Sequence, residues 1–516
     1  MNNKGFDRFT KDVLLSKTEI KKVIHEIKSV TNPKIKEAHR AGSDLFHINQ
    51  FKLKNIKKGN PMTKVIPNNK TTRRTILKGA SALALPTFIP SSVFGANEKK
   101  INIAWVGFGN MGWGDLNACA GGNNVVALCD CNPGTWERAK KKFPGAKFYK
   151  DFRKMLEEMG DQIDVVGVGT PDHCHFSIAY TAMSMGKHVF VEKPLVHSLW
   201  EARTLQALAK EKGVVTQMGN QGHAFEGAYL IKEWYEAGLI GEVKEVLTWT
   251  DRPARGWGFN GKVRTAYPSA EKIPEGMDWD MWLGPCQEDV PFSRALHPTT
   301  WRPWWSFGCG GLGDIGCHTI DTAYWALGLG APDRVEADMA EAANPIHTPN
   351  GSIVSFKFPA RGKKPAVDVK WFEGPRMPKA PDGYDYDIKG HGGFIMVGEK
   401  GGICHDGMRP NSPRLYPQAK WEEYRKDPAK RVPKTLKRVG GIHRDFINCI
   451  RNSEKSVSDF SYSGPLTETI LLGTLAIRTG KAIDWDAKNL KINGNKEAAA
   501  LIEIEARKGW GTSDLV

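Results

Sequence analysis

Ile101-Asn-Ile-Ala-Trp-Val106 runs without interruption into Gly107-Phe108-Gly109-Asn110-Met111-Gly112, and this junction decides the fold. The apolar run reads as a buried strand of a parallel sheet. The glycines match G-x-G-x-x-G, the turn that binds dinucleotides. Gly107 permits the tight turn, Gly109 lets the backbone approach a pyrophosphate, and Gly112 lets the next helix pack closely on the strand. That helix then offers free N–H groups and a positive dipole end to the phosphates.

The α/β alternation continues outward. Val125-Val-Ala-Leu-Cys-Asp130 is a second strand, and its closing acid stands where a carboxylate accepts the ribose hydroxyls of NAD. The same charge would repel the 2′-phosphate of NADP, so NAD is expected and NADP disfavoured. A turn or helix cap is the alternative role for Asp130. Residues 163–169 read as a strand followed by Thr170-Pro171-Asp172-His173-Cys174-His175. A helix to Gly186, a strand at 188–191, Glu192-Lys193-Pro194, a helix over 198–212 and a sixth strand at 214–218 follow. Ligands of such sheets bind beyond the carboxyl ends of the strands, which puts Gly107, Asp130, Thr170, Lys193 and Asn220 on one rim.

The net charge of +16 invites a nucleic-acid reading, and its distribution argues against one. Residues 1–96 hold 19 Lys/Arg against 6 Asp/Glu, leaving 54 against 51 in residues 97–516. A near-neutral body has no general electrostatic reason to hold polyphosphate. The nine cysteines are scattered with no Cys-x-x-Cys pair, so neither a disulfide framework nor a zinc site is expected.

The basic leader reads as an address. Thr72-Arg73-Arg74-Thr75-Ile76-Leu77-Lys78 precedes a short apolar run over 79–89 and small residues near Val93, Gly95 and Ala96. This order resembles a twin-arginine export signal. The run is shorter than the about 20 apolar residues a membrane span needs. Residues 1–61 show no core pattern and are expected to be an extension upstream of a start at Met62, with 62–96 the signal peptide. Delivery by the twin-arginine machinery to the periplasm follows as an expectation. That route carries folded proteins, which suits an enzyme that acquires its cofactor before export.

At Glu192-Lys193-Pro194 the chain resembles the glucose–fructose oxidoreductase/inositol dehydrogenase (Gfo/Idh/MocA) family. The resembling features run from Ile101 to about Asp486. They include the glycine turn, Thr170-Pro171 with His175, and Gly310-Gly311-Leu-Gly313-Asp314-Ile-Gly316-Cys-His318-Thr-Ile-Asp321. The resemblance implies a Rossmann domain over 97–220 and a second domain over 221–486, built on an open, mainly antiparallel sheet whose outer face often serves homo-oligomerisation. Residues 242–249, 352–358, 366–371 and 394–397 read as its strands, with a hairpin-like turn at 399–402. A late helix near 464–481 is expected to pack back on the first domain, and 487–516 to form a tail.

The cofactor-binding set implied is Gly107, Phe108, Gly109, Asn110, Met111, Gly112, Asp130, Thr170, Pro171, His175, Glu192, Lys193 and Asn220. Lys193 matches the family lysine beside nicotinamide and substrate, where an ammonium stabilises a developing oxyanion. Asp314 and His318 stand at i and i+4, one face of a helix. His318 suits a general base, with Asp314 orienting it or binding a substrate hydroxyl. These are the family's matching catalytic positions, and no metal is called for.

Seven of the 17 tryptophans fall between Trp249 and Trp305. Most read as core, though such density also offers stacking faces for a sugar ring. Arg302, His297 and Trp305 are candidate substrate groups; the first two suit a surface or ion-paired role equally.

The expected activity is NAD(P)-dependent oxidation or reduction of a sugar, polyol or related hydroxylated small molecule. Outside the cytoplasm free NAD is scarce, so a tightly bound cofactor that cycles in place is expected. One alternative is an NAD-dependent redox glycoside hydrolase working by oxidation, elimination, hydration and reduction. Another is a non-catalytic protein that binds NAD or a sugar.

Overall fold

The computed structural model describes residues 100–253 and 262–515, all within one folded unit. The expected extension and twin-arginine signal, and Trp257 of the tryptophan-rich stretch, lie outside the described residues.

Six strands build the first sheet: β1 (Asn102–Val106), β2 (Asn124–Cys129), β3 (Lys147–Tyr149), β4 (Val165–Val168), β5 (His188–Val191) and β6 (Thr216–Met218). Their order is β3-β2-β1-β4-β5-β6, and every pairing is parallel. This is the doubly wound Rossmann arrangement, and it brings the ends of β1, β2 and β4 together where a ligand binds. The strands are apolar on both faces because helices cover both: Val165, Val166 and Val168 of β4 are fully buried. The helix Leu199–Lys212 starts at a capping box between Ser198 and Glu201 and stops at left-handed Gly213, as its sequence dictates.

The second sheet holds β7 (Val243–Thr250), β8 (Arg334–Met339), β9 (Ser352–Phe358), β10 (Val367–Glu373), β11 (Gly393–Gly398), β12 (Gly401–Asp406), β13 (Arg414–Tyr416), β14 (Ile483–Asp486) and β15 (Lys491–Asn493). Their order is β13-β12-β11-β7-β10-β9-β8-β14-β15, antiparallel throughout except between β7 and β10. The hairpin turn between β11 and β12 falls at Glu399 and Lys400. Along β9 buried and half-buried residues alternate, the mark of a sheet with one face in the core.

The helix Phe460–Thr479 joins the two domains. It packs between the second sheet and Leu199–Lys212, and the Glu468 carboxylate pairs with Arg203 from the first domain and accepts from Trp485 Nε1. Residues 487–516 differ from the expected tail. β15 closes the edge of the second sheet, and Trp510 and Leu515 are buried. The segment is held by pieces three or four residues long, too short to leave a periodic signature. No helix among the described residues is long and apolar enough to cross a membrane.

Candidate functional site

The three glycines at the end of β1 behave differently in space. Gly107 has φ +73°, and its N–H donates to Cys129 O at 2.8 Å, which carries the parallel β1–β2 ladder into the start of the turn. A Cβ on Gly112 would stand 2.1 Å from Gly107 O, so the helix Asn110–Cys119 can lie on the turn only without a side chain there. A Cβ on Gly109 would meet nothing within 4 Å, because that face opens into a cavity. The helix starts right after Gly109 with no side-chain cap and leaves its first N–H groups facing that opening.

Beside this turn Asp130 Oδ2 accepts from Phe108 N at 3.3 Å and Oδ1 from Asn132 N at 2.9 Å. Burial pushes its carboxyl up to about 6, against the pull of those two N–H groups. Arg138, which the sequence did not single out, braces the loop and itself lines the cavity that opens there. Its guanidinium donates to Phe108 O at 2.6 Å and Gly109 O at 2.5 Å and lies 4.5 Å from the Trp113 ring centroid.

These groups line a cavity of about 530 Å³ that runs from Asp130 to Lys193. Of the expected residues, Gly107, Gly109, Asn110, Met111, Asp130, Thr170, Pro171, Glu192, Lys193, His297 and Arg302 all reach it. The expected rest stand behind its wall. Phe108 is fully buried in the first domain's core and serves through its backbone. His175 pins two loops, its ring nitrogens 2.8 Å from Pro194 O and 2.9 Å from Thr170 O, so it positions the loops rather than meeting a ligand. Asn220 is buried, with both amide atoms unpartnered. Trp305 sits in the core and donates to Asn344 O at 2.9 Å. The indoles on the cavity are Trp282, Trp301 and Trp510.

Lys193 is nearly buried, and its Nζ donates to Asp314 Oδ1 at 2.6 Å and Asp314 O at 2.9 Å. The same Oδ1 accepts from Arg302 Nε at 3.1 Å. Burial alone would raise the Asp314 carboxyl, but the charges of Lys193 and Arg302 outweigh it and hold the group well below the usual carboxylate range. Asp314 thus meets the cavity through its two cationic partners. It lies in a π-helical turn, Leu312–Gly316, and His318 in the helix Cys317–Leu327 that follows. His318 is buried with Nδ1 unpartnered. Burial, and then the charges of Arg409 and Lys193, keep it neutral far below its ordinary pKa.

Two acids on the cavity complete the picture. Asp172 accepts from Cys309 N at 3.0 Å, and burial raises its carboxyl to about 7 against the pull of Arg302 and Lys193. Glu192 accepts from Gln221 Nε2 at 2.9 Å and faces the Asp115 carboxyl. Burial first, and then Asp115, raise Glu192 to about 8, while Asp115 itself rises to about 6 and lies 2.7 Å from His443 Nε2. The neighbouring Asp115 carboxyl thus adds to burial in disfavouring a charge on Glu192. Gln221 also binds Arg409, which comes from the loop after β12. Among the described residues no group of three or more His, Cys, Asp or Glu is placed to hold a metal ion.

The cavity fits a dinucleotide. Gly109 leaves room for a pyrophosphate at a helix N-terminus, and Asp130 stands at the end of β2. Thr170 Oγ1 is buried without a partner on the opposite loop. Fold and site together define a Rossmann-type, NAD-binding protein with an antiparallel second domain. Residues 101–220 match the model of the oxidoreductase family with an NAD-binding Rossmann fold, and 229–349 match that family's C-terminal alpha/beta domain. Residues 101–349 thus carry the two domains of the Gfo/Idh/MocA oxidoreductase family.

A levoglucosan dehydrogenase of Pseudarthrobacter phenanthrenivorans is 26% identical over 243 residues, 47% of this chain and 52% of that one. A scyllo-inositol 2-dehydrogenase (NAD(+)) of Bacillus subtilis is 32% identical over 149 residues, 28% of this chain and 43% of that one. The chain thus spans about half the length of the curated relatives it matches. The WlbA dehydrogenase of Bordetella pertussis, solved with NADH and UDP-GlcNAcA, shares the fold at a TM-score of 0.51 and 19% identity. That match covers 76% of this chain and 100% of that one.

Proposed function

We propose that the chain is an NAD-dependent oxidoreductase that transfers hydride to or from a sugar, polyol or related hydroxylated small molecule. The observation that carries this reading is Lys193. Its ammonium, paired with Asp314, lines the same cavity as Gly107, Gly109 and Asp130. The names of the two dehydrogenase relatives support a polyhydroxylated substrate.

Gly107, Gly109, Asn110, Met111, Asp130, Thr170 and Glu192 would hold the cofactor, which when bound supplies the acceptor or donor of the hydride. Lys193 and Arg302 set positive charge where a carbinol oxygen becomes negative. His318, buried behind the cavity wall and kept neutral there, would accept the hydroxyl proton in the oxidation direction once a substrate is bound within its reach. Burial and the charges of Arg409 and Lys193 disfavour the imidazolium, which the Asp314 charge offsets only in part, so His318 would pass that proton on rather than keep it. Trp301 and His297 supply flat walls for a ring.

The Arg73-Arg74 signal supports export to the periplasm, with the cofactor cycling in place. The same signal supports a second reading, a redox glycoside hydrolase, because a reaction that returns its hydride needs no fresh NAD. A homo-oligomer through the second sheet completes the proposal, and sedimentation of the purified protein tests it.

Purified protein is incubated with NAD and a panel of inositols, anhydrosugars, aldoses and chromogenic glycosides. Appearance of NADH with a member of the panel is the expected result. Release of aglycone without net NADH would overturn it in favour of the hydrolase. Failure to bind NAD would defeat both.

A further inference from the structure

The cavity has a wall that comes from neither the Rossmann turn nor the second sheet. Trp510, close to the end of the chain, lines the same cavity as Gly107 and Asp130 and is buried. Strand order fixes which end of the cavity it covers. β3 lies beyond β2, so Lys150 and Phe152, which follow β3, lie on the far side of Asp130 from Lys193. The Trp510 ring packs against Phe152 with centroids 6.0 Å apart, and the Arg153 guanidinium lies 4.7 Å from the indole centroid. Asp130 is where the adenosine ribose of a dinucleotide binds in such a sheet, so this is the adenosine end.

The segment carrying Trp510 is fastened to the opposite wall. Arg507 Nε donates to Gly284 O at 2.5 Å, Nη1 to Asp280 Oδ1 at 2.6 Å and Nη2 to Asp280 O at 2.7 Å. Its own N–H donates to Pro285 O at 3.1 Å. All three acceptor residues lie in or beside the helix Trp279–Leu283, whose Met281 and Trp282 also line the cavity. On the other side Arg153 Nη1 donates to Gly509 O at 3.4 Å, and the helix Thr512–Leu515 packs on His175–Ser184. One short segment therefore ties the Trp279–Leu283 helix to the Rossmann domain across the adenosine end.

We infer that Trp510 is a cofactor-binding residue, and that residues 507–515 form a clasp that buries the adenine ring of NAD and keeps the cofactor resident. This rests on the reading of the cavity as an NAD site. An adenine ring is flat, with apolar faces, and the indole of Trp510 and the phenyl ring of Phe152 offer it matching walls. Apart from the short helix Thr512–Leu515 the segment has no sheet or long-helix pairing and is fixed by side chains and the one backbone hydrogen bond to Pro285, so it can open locally without unfolding either domain. Release of the dinucleotide then waits on that opening, which sets the off-rate rather than the on-rate.

The test uses full-length protein loaded with NADH and stripped of free nucleotide by gel filtration. Retained nucleotide is assayed, and release is timed by loss of energy transfer from tryptophan to NADH. Trp510→Ala should release NADH about tenfold faster than the wild type or more. Arg507→Ala should do the same while leaving the indole in the chain, and Trp510→Phe should restore most of the retention. Release from both alanine variants within about twofold of wild type would overturn the clasp alone. No uptake of NADH by the wild type would overturn the cofactor reading itself.

Discussion

Lys193 Nζ lies 2.6 Å from Asp314 Oδ1, and both side chains are nearly buried. Each neutralises a charge that could not otherwise stay there. Arg302 leans on the same oxygen, so two cations share one carboxylate at the edge of the cavity. Replacing Asp314 by Ala leaves both cations without their partner. The expected cost is about 3–5 kcal/mol of folding stability, read from denaturant unfolding. Lys193→Met leaves Asp314 paired with Arg302 and should be milder in stability. It should lower turnover about a hundredfold or more while NAD still binds. Equal losses of nucleotide binding and turnover in Lys193→Met would show that the lysine only supports the site.

Asp130 predicts the cofactor preference. Its carboxylate accepts from Phe108 N and Asn132 N and so also shapes the loop that would hold the ribose. Asp130→Ser should weaken NAD by about tenfold, the scale of one charge-assisted hydrogen bond. NADP should lose less, because its 2′-phosphate no longer meets a carboxylate. Calorimetric titration of both nucleotides checks this; an unchanged ratio of the two affinities would contradict it.

The parts of this site that sequence made visible are those governed by local rules. The β1 strand, the glycines after it and Asp130 at the end of β2 are set by short-range geometry, and each stands where expected. Lys193, Asp314 and His318 were legible through a motif. Their spacing suggested an Asp314–His318 partnership on one helical face. The π-helical turn at Leu312–Gly316 and the charges of Lys193 and Arg302 draw Asp314 to the cations. Arg409 and Trp510 carried no signal, because they reach the site from distant loops whose own sequence has no periodicity. Gln221 and Arg409 stand 188 residues apart. Nothing in the sequence separates Trp301 from Trp305; only the packing of residues 301–310 decides which faces the cavity.

The Glu192–Asp115 pair predicts a pH dependence of stability. Glu192 is raised from 4.5 to about 8, so between those values the folded protein holds a proton that the unfolded chain has released. Stability must therefore fall as pH rises through this window, with the favourable contribution intact below 4.5 and lost above about 8. Asp115, raised from 3.8 to about 6, adds slope over its lower part. Glu192→Gln removes the larger contribution. In nucleotide-free protein its unfolding midpoint should vary less with pH than the wild type's and should exceed it at the alkaline end. Parallel curves for the two proteins would mean that the proton is not held there.

Gly109 and Gly112 exclude a side chain for different reasons within one turn. A Cβ at Gly112 would stand 2.1 Å from Gly107 O and 3.3 Å from Gly169 Cα, all backbone that cannot move aside without breaking the β1–β4 junction. Gly112→Ala should lower stability by about 1–3 kcal/mol or more, the scale of overpacking in a close-packed interior. A Cβ at Gly109 meets no atom within 4 Å, but its φ of −65° and ψ of −126° lie between the α and β regions that alanine adopts. Gly109→Ala should therefore cost only that backbone strain, about 1–3 kcal/mol, with no overpacking added. The added methyl group nevertheless occupies the space through which a pyrophosphate reaches the helix N-terminus, so NAD affinity should fall by about tenfold or more. Denaturant curves and nucleotide titrations on the two variants check both halves. If Gly109→Ala bound NAD as tightly as the wild type, the phosphates would have to lie away from the turn, and the placement of the cofactor along β1 would be wrong.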